Sequence, residues 1–130
     1  MRDQAFAWRE QARTHAAALL NCLPDEVALS GNATDGINFV AFGLAWHPDD
    51  EVLLSDQEHP AMNVPWYTLA RRAGVRVRHF PIARDGDPSK TLASIAERIT
   101  KRTKLILFNS PANPTGVTAS EAESRSSSCA

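Results

Sequence analysis

Apolar residues along the chain alternate between a helical spacing and short continuous runs. Apolar positions three or four residues apart predict four helices, at 4–20, 37–44, 66–73 and 92–99. Short apolar or alternating runs predict four strands, at 27–30, 52–55, 75–80 and 105–108. Strands that alternate with helices form βαβ units, so the pattern predicts an α/β fold with a parallel sheet.

Two of the predicted strands differ in their surroundings. Residues 105–108 are all apolar, which predicts a strand buried on both faces. Residues 75–80 alternate with Arg76 and Arg78, as is typical of a half-exposed or edge strand. Gly74 is predicted to end the preceding helix with a positive φ, and Asp87 with Pro88 to begin the next one.

Composition narrows the class of protein. The 130 residues are 43% hydrophobic, which suits one domain with a buried core. Fourteen basic and fifteen acidic residues are well mixed, so no broad basic face is available for nucleic acid. No apolar run approaches the roughly 20 residues that cross a bilayer, and the first residues lack the core of a signal peptide. Cys22 and Cys129 form neither a disulfide framework nor a metal-ligand spacing, so we expect a cytoplasmic protein without metal.

In parallel sheets, ligands bind at the carboxyl ends of the strands, which directs attention to three loops. The first, 31–35, leads from a strand into a helix and would direct backbone N–H groups and the helix dipole at a phosphate. Its alternative is a simple helix start capped by Asn32 or Thr34.

The other two loops carry polar side chains. In 56–60, His59 could stack on an aromatic ligand or transfer protons near neutral pH, or be a loop residue without a ligand. The third loop, 109–116, holds two asparagines and two hydroxyls, which suit a ligand but also a turn that binds nothing. No dinucleotide fingerprint, P-loop or Ser-His-Asp arrangement is present.

The order and spacing of the three loops resemble one family. Residues 31–38 (GNATDGIN) resemble the segment with which class V aminotransferases bind the phosphate of pyridoxal phosphate. Residues 58–61 (EHPA) resemble the loop whose histidine stacks on the pyridine ring, and 109–116 resemble the family's next ligand loop. The resemblance covers about residues 5–118 and is strongest to the branch of cysteine desulfurases, selenocysteine lyases and isopenicillin N epimerases.

This resemblance implies a fold and a cofactor. Residues 1–119 would be part of the large domain of a fold type I enzyme, with a mostly parallel sheet and helices on both faces. Ala33 and Thr34 would hold the phosphate of pyridoxal phosphate, His59 would stack on its ring, and Asn113 would orient the cofactor or substrate. The substrate would be an amino acid, and full-length relatives would form homodimers.

The resemblance also implies that catalytic groups are missing. Family members are several times longer, and their Schiff-base lysine, pyridine-binding aspartate and carboxylate-binding arginine would follow the last residue here. Lys90, Lys101 and Lys104 are the lysines of this chain, and none occupies a suitable position. We therefore expect no catalytic residue and no activity of the chain alone. The serine-rich residues 120–130 are expected to be a disordered and aberrant tail.

Three interpretations follow from the sequence. The chain is a fragment of a pyridoxal-phosphate enzyme, a non-catalytic binding module or half of a split enzyme, or an unrelated nucleotide-binding domain, which the missing glycine fingerprint disfavours. For the fragment, the sheet would lack neighbouring strands, so we expect the chain not to form a well-packed domain by itself.

Overall fold

The middle strand of the sheet, β1 (Glu51–Ser55), is buried along its whole length. It lies between β2 (Arg76–Phe80) and β3 (Thr103–Leu107), and both neighbours run parallel to it. This computed structural model describes residues 2–113 and 115–118. The helices are α1 (Arg2–Leu20), α2 (Ala33–Gly43), α3 (Pro60–Ala73) and α4 (Pro88–Ala96), with a short 3-10 helix at Pro24–Glu26. None of the described helices is long and apolar enough to cross a membrane.

Helices cover both faces of the sheet, as predicted. On one face, Val52 and Leu54 of β1 pack with Ala41 of α2 and with Trp66 and Leu69 of α3. On the other face, Leu53 of β1 packs with three side chains from β2, the segment after it and α4, respectively: Phe80, Ile82 and Ile95. The period-two alternation of a strand therefore places one core layer on each side of β1.

Local capping residues set the ends of two helices. Pro60 begins α3, and Gly74 ends it in the left-handed conformation with φ of 70°, which confirms that prediction. Asp87 accepts a hydrogen bond from Ser89 N at 2.9 Å and caps α4, in which Pro88 is the first residue. These boundaries agree with the sequence because each depends on a few adjacent residues.

The chain divides into two compact units, Met1–Gly36 and Ile37–Ala130. In the first unit, α1 carries a short ion pair between Arg13 and Glu10 at 2.6 Å, and Ala17 is buried. Large apolar side chains of this unit are nonetheless exposed: Phe6, Trp8, Leu19, Leu20 and Leu23. The sheet and both core layers belong to the second unit.

Three predictions about individual segments are wrong. Residues 27–30 form no strand, because no strand of the described chain pairs with them and an extended segment needs such a partner. Residues 105–108 are half-buried rather than buried on both faces, since β3 pairs only with β1 in the described chain. The helix predicted to reach Ile99 ends at Ala96, and Ile99 is partly exposed. The predicted tail, 120–130, lies outside the described residues.

The position of each strand predicts its rate of amide hydrogen exchange. Amides of β1 should exchange slowest, because this strand is buried and paired on both sides. Amides of 27–30 should exchange fastest among the extended segments, because no ladder protects them. Exchange measured by NMR on the full chain tests this order. Uniformly strong protection from Val27 to Asn109 would contradict it, and with it the expectation that the chain packs poorly by itself.

Candidate functional site

Two polar loops follow β1 and β3 at the same edge of the sheet, because the two strands are parallel. The loop after β1 contains Asp56, Gln57, Glu58 and His59, and the loop after β3 is 109–116. Carboxyl ends of parallel strands are where α/β proteins bind their ligands. The second unit therefore brings together two of the three loops that the sequence singled out.

Asp56 and Gln57 connect the β1 loop to its surroundings. Asp56 N donates to Phe80 O at 2.8 Å, and Asp56 Oδ1 accepts from Ile82 N at 3.1 Å. Buried Gln57 donates from Nε2 to Ile82 O at 3.3 Å, while its Oε1 accepts from the Thr115 hydroxyl. The loop after β1 is thereby held to the chain that follows β2 and to the loop that follows β3.

Glu58 provides a second connection between the two loops. Its side chain is buried at 9% exposure, and Oε1 accepts from Ser55 Oγ at 2.6 Å and from Asn109 N at 2.8 Å. Its other oxygen, Oε2, is buried without a hydrogen-bond partner in the described residues. No sequence pattern indicated a role for Glu58. One local signal was nonetheless available: Glu58 lies three positions after Ser55, whose hydroxyl can donate a hydrogen bond to the Glu58 carboxylate.

His59 is exposed at the end of the β1 loop, as is Asp56 at its start. Its Nδ1 accepts from Ala61 N at 3.2 Å, so His59 is the N-cap of α3. Because Nδ1 acts as an acceptor, the neutral ring carries its proton on Nε2. The capping bond fixes the ring at the carboxyl edge of the sheet, so the structural role and a ligand-stacking role are compatible.

Asn113 lies in a tight, exposed turn of the loop after β3. Ala112 N donates to Val117 O at 2.7 Å, and Gly116 N donates to Ala112 O at 2.6 Å. Gly116 has φ of 72°, a left-handed conformation that glycine adopts without strain. Buried Ala112 anchors the turn, and Asn113 is exposed next to it.

Ala33 and Thr34 begin α2 and lie in the first unit, whereas His59 and Asn113 lie in the second. Asn32 Oδ1 accepts from Asp35 N at 2.9 Å, so Asn32 caps this helix, as one alternative for this loop predicted. A Cβ atom at Gly31 would lie 2.9 Å from Asp35 Oδ2, the end of a flexible side chain that can move away, so this contact does not require glycine. The capped helix start does not by itself indicate a phosphate site.

Two of the three lysines form ion pairs with aspartates. Lys104 Nζ lies 3.0 Å from Asp50 Oδ2 and 5.2 Å from the centre of the Trp46 ring, at the amino end of β3. Lys90 pairs with Asp85, and this hydrogen bond raises the pKa of Lys90 above its usual value. Exposed Lys101 lies in the turn before β3. Lys101 and Lys104 thus lie at the end of β3 opposite the 109–116 loop, as the sequence predicted.

Metal ligands do not gather in the described residues: no group of three or more histidine, cysteine, aspartate or glutamate side chains there could hold a metal ion. Cys22 is a free, half-buried cysteine. The two loops carry amide, hydroxyl, imidazole and carboxylate groups.

Comparison with known proteins gives consistent relatives. The isopenicillin N epimerase of Streptomyces clavuligerus is 34% identical over 120 residues, which is 92% of this chain and 30% of the relative. The cysteine desulfurase of Pectobacterium carotovorum is 33% identical over 117 residues, or 87% of this chain and 28% of the relative. The chain therefore spans less than a third of the length of these relatives.

Solved structures share the fold. A complex of the cystine C–S lyase C-DES with its product cysteine persulfide superposes with a TM-score of 0.88 at 29% identity, over 96% of this chain and 33% of that one. A C-DES mutant with glycine covalently linked to its pyridoxal-phosphate cofactor superposes with a TM-score of 0.87, at 29% identity and over 96% of this chain and 32% of that one. The sequence profile of the Aminotransferase class-V family matches residues 1–126. The chain belongs to the class V aminotransferase family.

Proposed function

We propose that this chain is the cofactor-binding part of the large domain of a pyridoxal-phosphate enzyme that acts on an amino acid. The observation that supports the proposal most directly is the fold shared with C-DES over 96% of the chain. At the carboxyl edge of the sheet, hydrogen bonds also connect the two polar loops. Relatives named cysteine desulfurase and isopenicillin N epimerase suggest an amino acid or an amino-acid derivative as the substrate.

Each residue that we propose to hold the cofactor has chemistry that suits it. A helix N-terminus, as at Ala33 and Thr34, carries partial positive charge that favours a phosphate. The exposed His59 ring is held by its capping bond and would stack on a planar heterocycle. Asn113, exposed in its turn, would orient the cofactor or the substrate. When bound, pyridoxal phosphate supplies an electron sink for the substrate's α carbon.

We also propose that the chain is inactive alone. Lys101 and Lys104 lie at the amino end of the sheet, and Lys90 is held by Asp85. We propose that none of them forms the covalent bond that holds the cofactor in this family. We infer that the lysine is supplied by further protein, in a cytoplasmic homodimer of full-length enzyme.

A second candidate is a non-catalytic binding module, or one half of a split enzyme. The observation in its favour is that Glu58 and Gln57 connect the loop after β1 to the loop after β3 by hydrogen bonds within the described chain. Such a module would bind pyridoxal phosphate, and the split form would gain activity when a second chain provides the lysine.

A titration of the full chain with pyridoxal phosphate tests the proposal. We expect saturable binding that His59→Asn weakens by about 3- to 10-fold, because asparagine retains the cap of α3 but loses the stacking ring. His15→Asn is the matched control, since His15 is exposed on α1, and it should leave the affinity unchanged. Equal affinities for the two variants would contradict the role of His59.

Borohydride reduction after the titration tests the missing lysine. We expect no single lysine to be modified in stoichiometric yield. A stoichiometric adduct at Lys90, Lys101 or Lys104 would show instead that the chain carries its own catalytic lysine. If circular dichroism shows that the chain is folded and it still binds no pyridoxal phosphate, the cofactor assignment itself is refuted.

A further inference from the structure

Three successive side chains of the β1 loop form hydrogen bonds to neighbouring segments. Asp56 binds the backbone after β2, Gln57 binds both that backbone and Thr115, and Glu58 binds the amide of Asn109. Gln57 and Glu58 are buried, at 5% and 9% exposure, so little of either side chain can reach a ligand. The next residue, His59, is exposed.

Glu58 controls the junction where the loop after β3 begins. Asn109 follows the last residues of β3, and its N–H donates to Glu58 Oε1 at 2.8 Å. The same oxygen accepts from Ser55, the last residue of β1, at 2.6 Å. One carboxylate oxygen therefore fixes the ends of two neighbouring strands relative to each other.

We propose that Glu58 is a positioning residue: through Oε1 it sets the loop of Asn113 relative to the loop of His59. This inference rests on the proposed function, because it assumes that the two loops hold the same cofactor. Glu58 itself does not contact the ligand. Its effect on binding is transmitted by the Asn109 amide.

The two carboxylate oxygens have different roles in this proposal. Oε1 makes both bonds, whereas Oε2 has no hydrogen-bond partner among the described residues. Glutamine can retain the Oε1 acceptor, but it removes the charge and puts an NH2 group in place of Oε2. Aspartate retains the charge but withdraws the carboxylate by about 1.5 Å, one C–C bond, which breaks the bond to Asn109. Length, rather than charge, should therefore decide the phenotype.

The experiment compares Glu58→Gln, Glu58→Asp and Glu58→Ala in the full chain. The first readout is hydrogen exchange of the Asn109 amide without cofactor, with the Leu53 amide of β1 as an internal reference. The second is the affinity for pyridoxal phosphate. Relative to Leu53, Asn109 should exchange about 10- to 100-fold faster in the Asp and Ala variants. Their affinity should fall about tenfold or more, and the Gln variant should stay within about threefold of the parent in both readouts.

Each result decides the proposal. Asn109 exchange that is unchanged in the Asp and Ala variants overturns it, as does fast exchange without loss of affinity. A Gln variant that protects Asn109 but loses affinity would make Glu58 a direct ligand contact and also overturn it. Where Ala unfolds the chain, seen as fast exchange of Leu53, the Asp and Gln variants still decide. A parent chain that binds no pyridoxal phosphate refutes the proposed function, whereas Asn109 exchange separately tests whether Glu58 fixes the loop.

Discussion

Trp66→Ala is expected to lower the free energy of unfolding by about 3–5 kcal/mol, the usual loss when a buried tryptophan is truncated. Trp66 is fully buried, at 0% exposure, and is the largest side chain of the core. It lies on α3, packs against β1, and forms a T-shaped contact with Trp46, with ring centroids 5.9 Å apart. A small domain has a total stability of only about 5–15 kcal/mol, so this loss should leave little margin.

Urea unfolding at 25 °C, followed by circular dichroism, measures the effect. Trp8→Ala is the matched control, because Trp8 is 63% exposed on α1 and should change stability by no more than about 0.5 kcal/mol. Trp66→Phe should lose less than Trp66→Ala, since it keeps an aromatic ring and removes an indole N–H that has no partner in the described chain. A loss below about 1 kcal/mol for Trp66→Ala would show that this core layer is not formed.

Local signals in the sequence correctly predicted the end of α3 at Gly74 and the start of α4 at Asp87. Gly74 and Asp87 act through adjacent backbone atoms, so their roles could be inferred without the fold. The alternation of Arg76 and Arg78 with apolar residues correctly indicated that β2 lies at an edge of the sheet. The parallel sheet followed from the alternation of strands and helices, which requires crossover connections.

Properties that depend on distant partners were not predictable in the same way. Residues 27–30 have a strand-like composition, but a strand exists only where another strand accepts its hydrogen bonds. The continuous apolar run of β3 indicates what the strand could bury, whereas its observed burial depends on the neighbours present. Composition alone therefore overestimated strand formation at 27–30 and the burial of β3.

At the candidate site, too, features with a local signal were predicted and features that depend on distant partners were not. The rule that ligands bind at strand carboxyl ends correctly identified the loops of His59 and Asn113 as neighbours, since both follow parallel strands. Glu58 was missed because its partner, Asn109, is 51 residues away, and nothing local marks that bond. The roles of Ala33, Thr34, His59 and Asn113 toward pyridoxal phosphate remain predictions for the titration to decide.

Arg78→Ala is expected to lower stability at pH 7 by about 1–2 kcal/mol, in a way that depends on pH. Arg78 Nη1 donates to Glu51 Oε2 at 3.0 Å and to Arg98 O at 2.9 Å, next to a Thr100 hydroxyl that also donates to Glu51 at 2.8 Å. The Glu51 side chain is 8% exposed, so its charge depends on these donors. The 38% exposure of Arg78 weakens the ion pair by solvent screening, which places the estimate at the low end.

The pH dependence follows from the pKa of Glu51. Burial raises that pKa, but hydrogen bonds from Thr100 and Arg78 outweigh burial and hold it below its ordinary value of 4.5. A carboxyl with a lowered folded pKa stabilises the fold above pH 4.5, and this contribution is lost as the pH falls through the folded pKa. The difference between parent and Arg78→Ala should therefore shrink in acid, leaving only the part due to the Arg98 carbonyl.

Urea unfolding of both proteins between pH 7 and pH 3 measures this change. Arg76→Ala is the control on the same strand, because Arg76 pairs with the partly exposed Asp49, which retains Arg102 at 3.1 Å after the substitution. The control should have little effect at pH 7, since exposed ion pairs are screened by water and salt. Equal losses for the two variants, or a loss at Arg78 that does not vary with pH, would mean that Glu51 does not depend on Arg78. The buried carboxylate would then be stabilised by Thr100 and Thr103 alone.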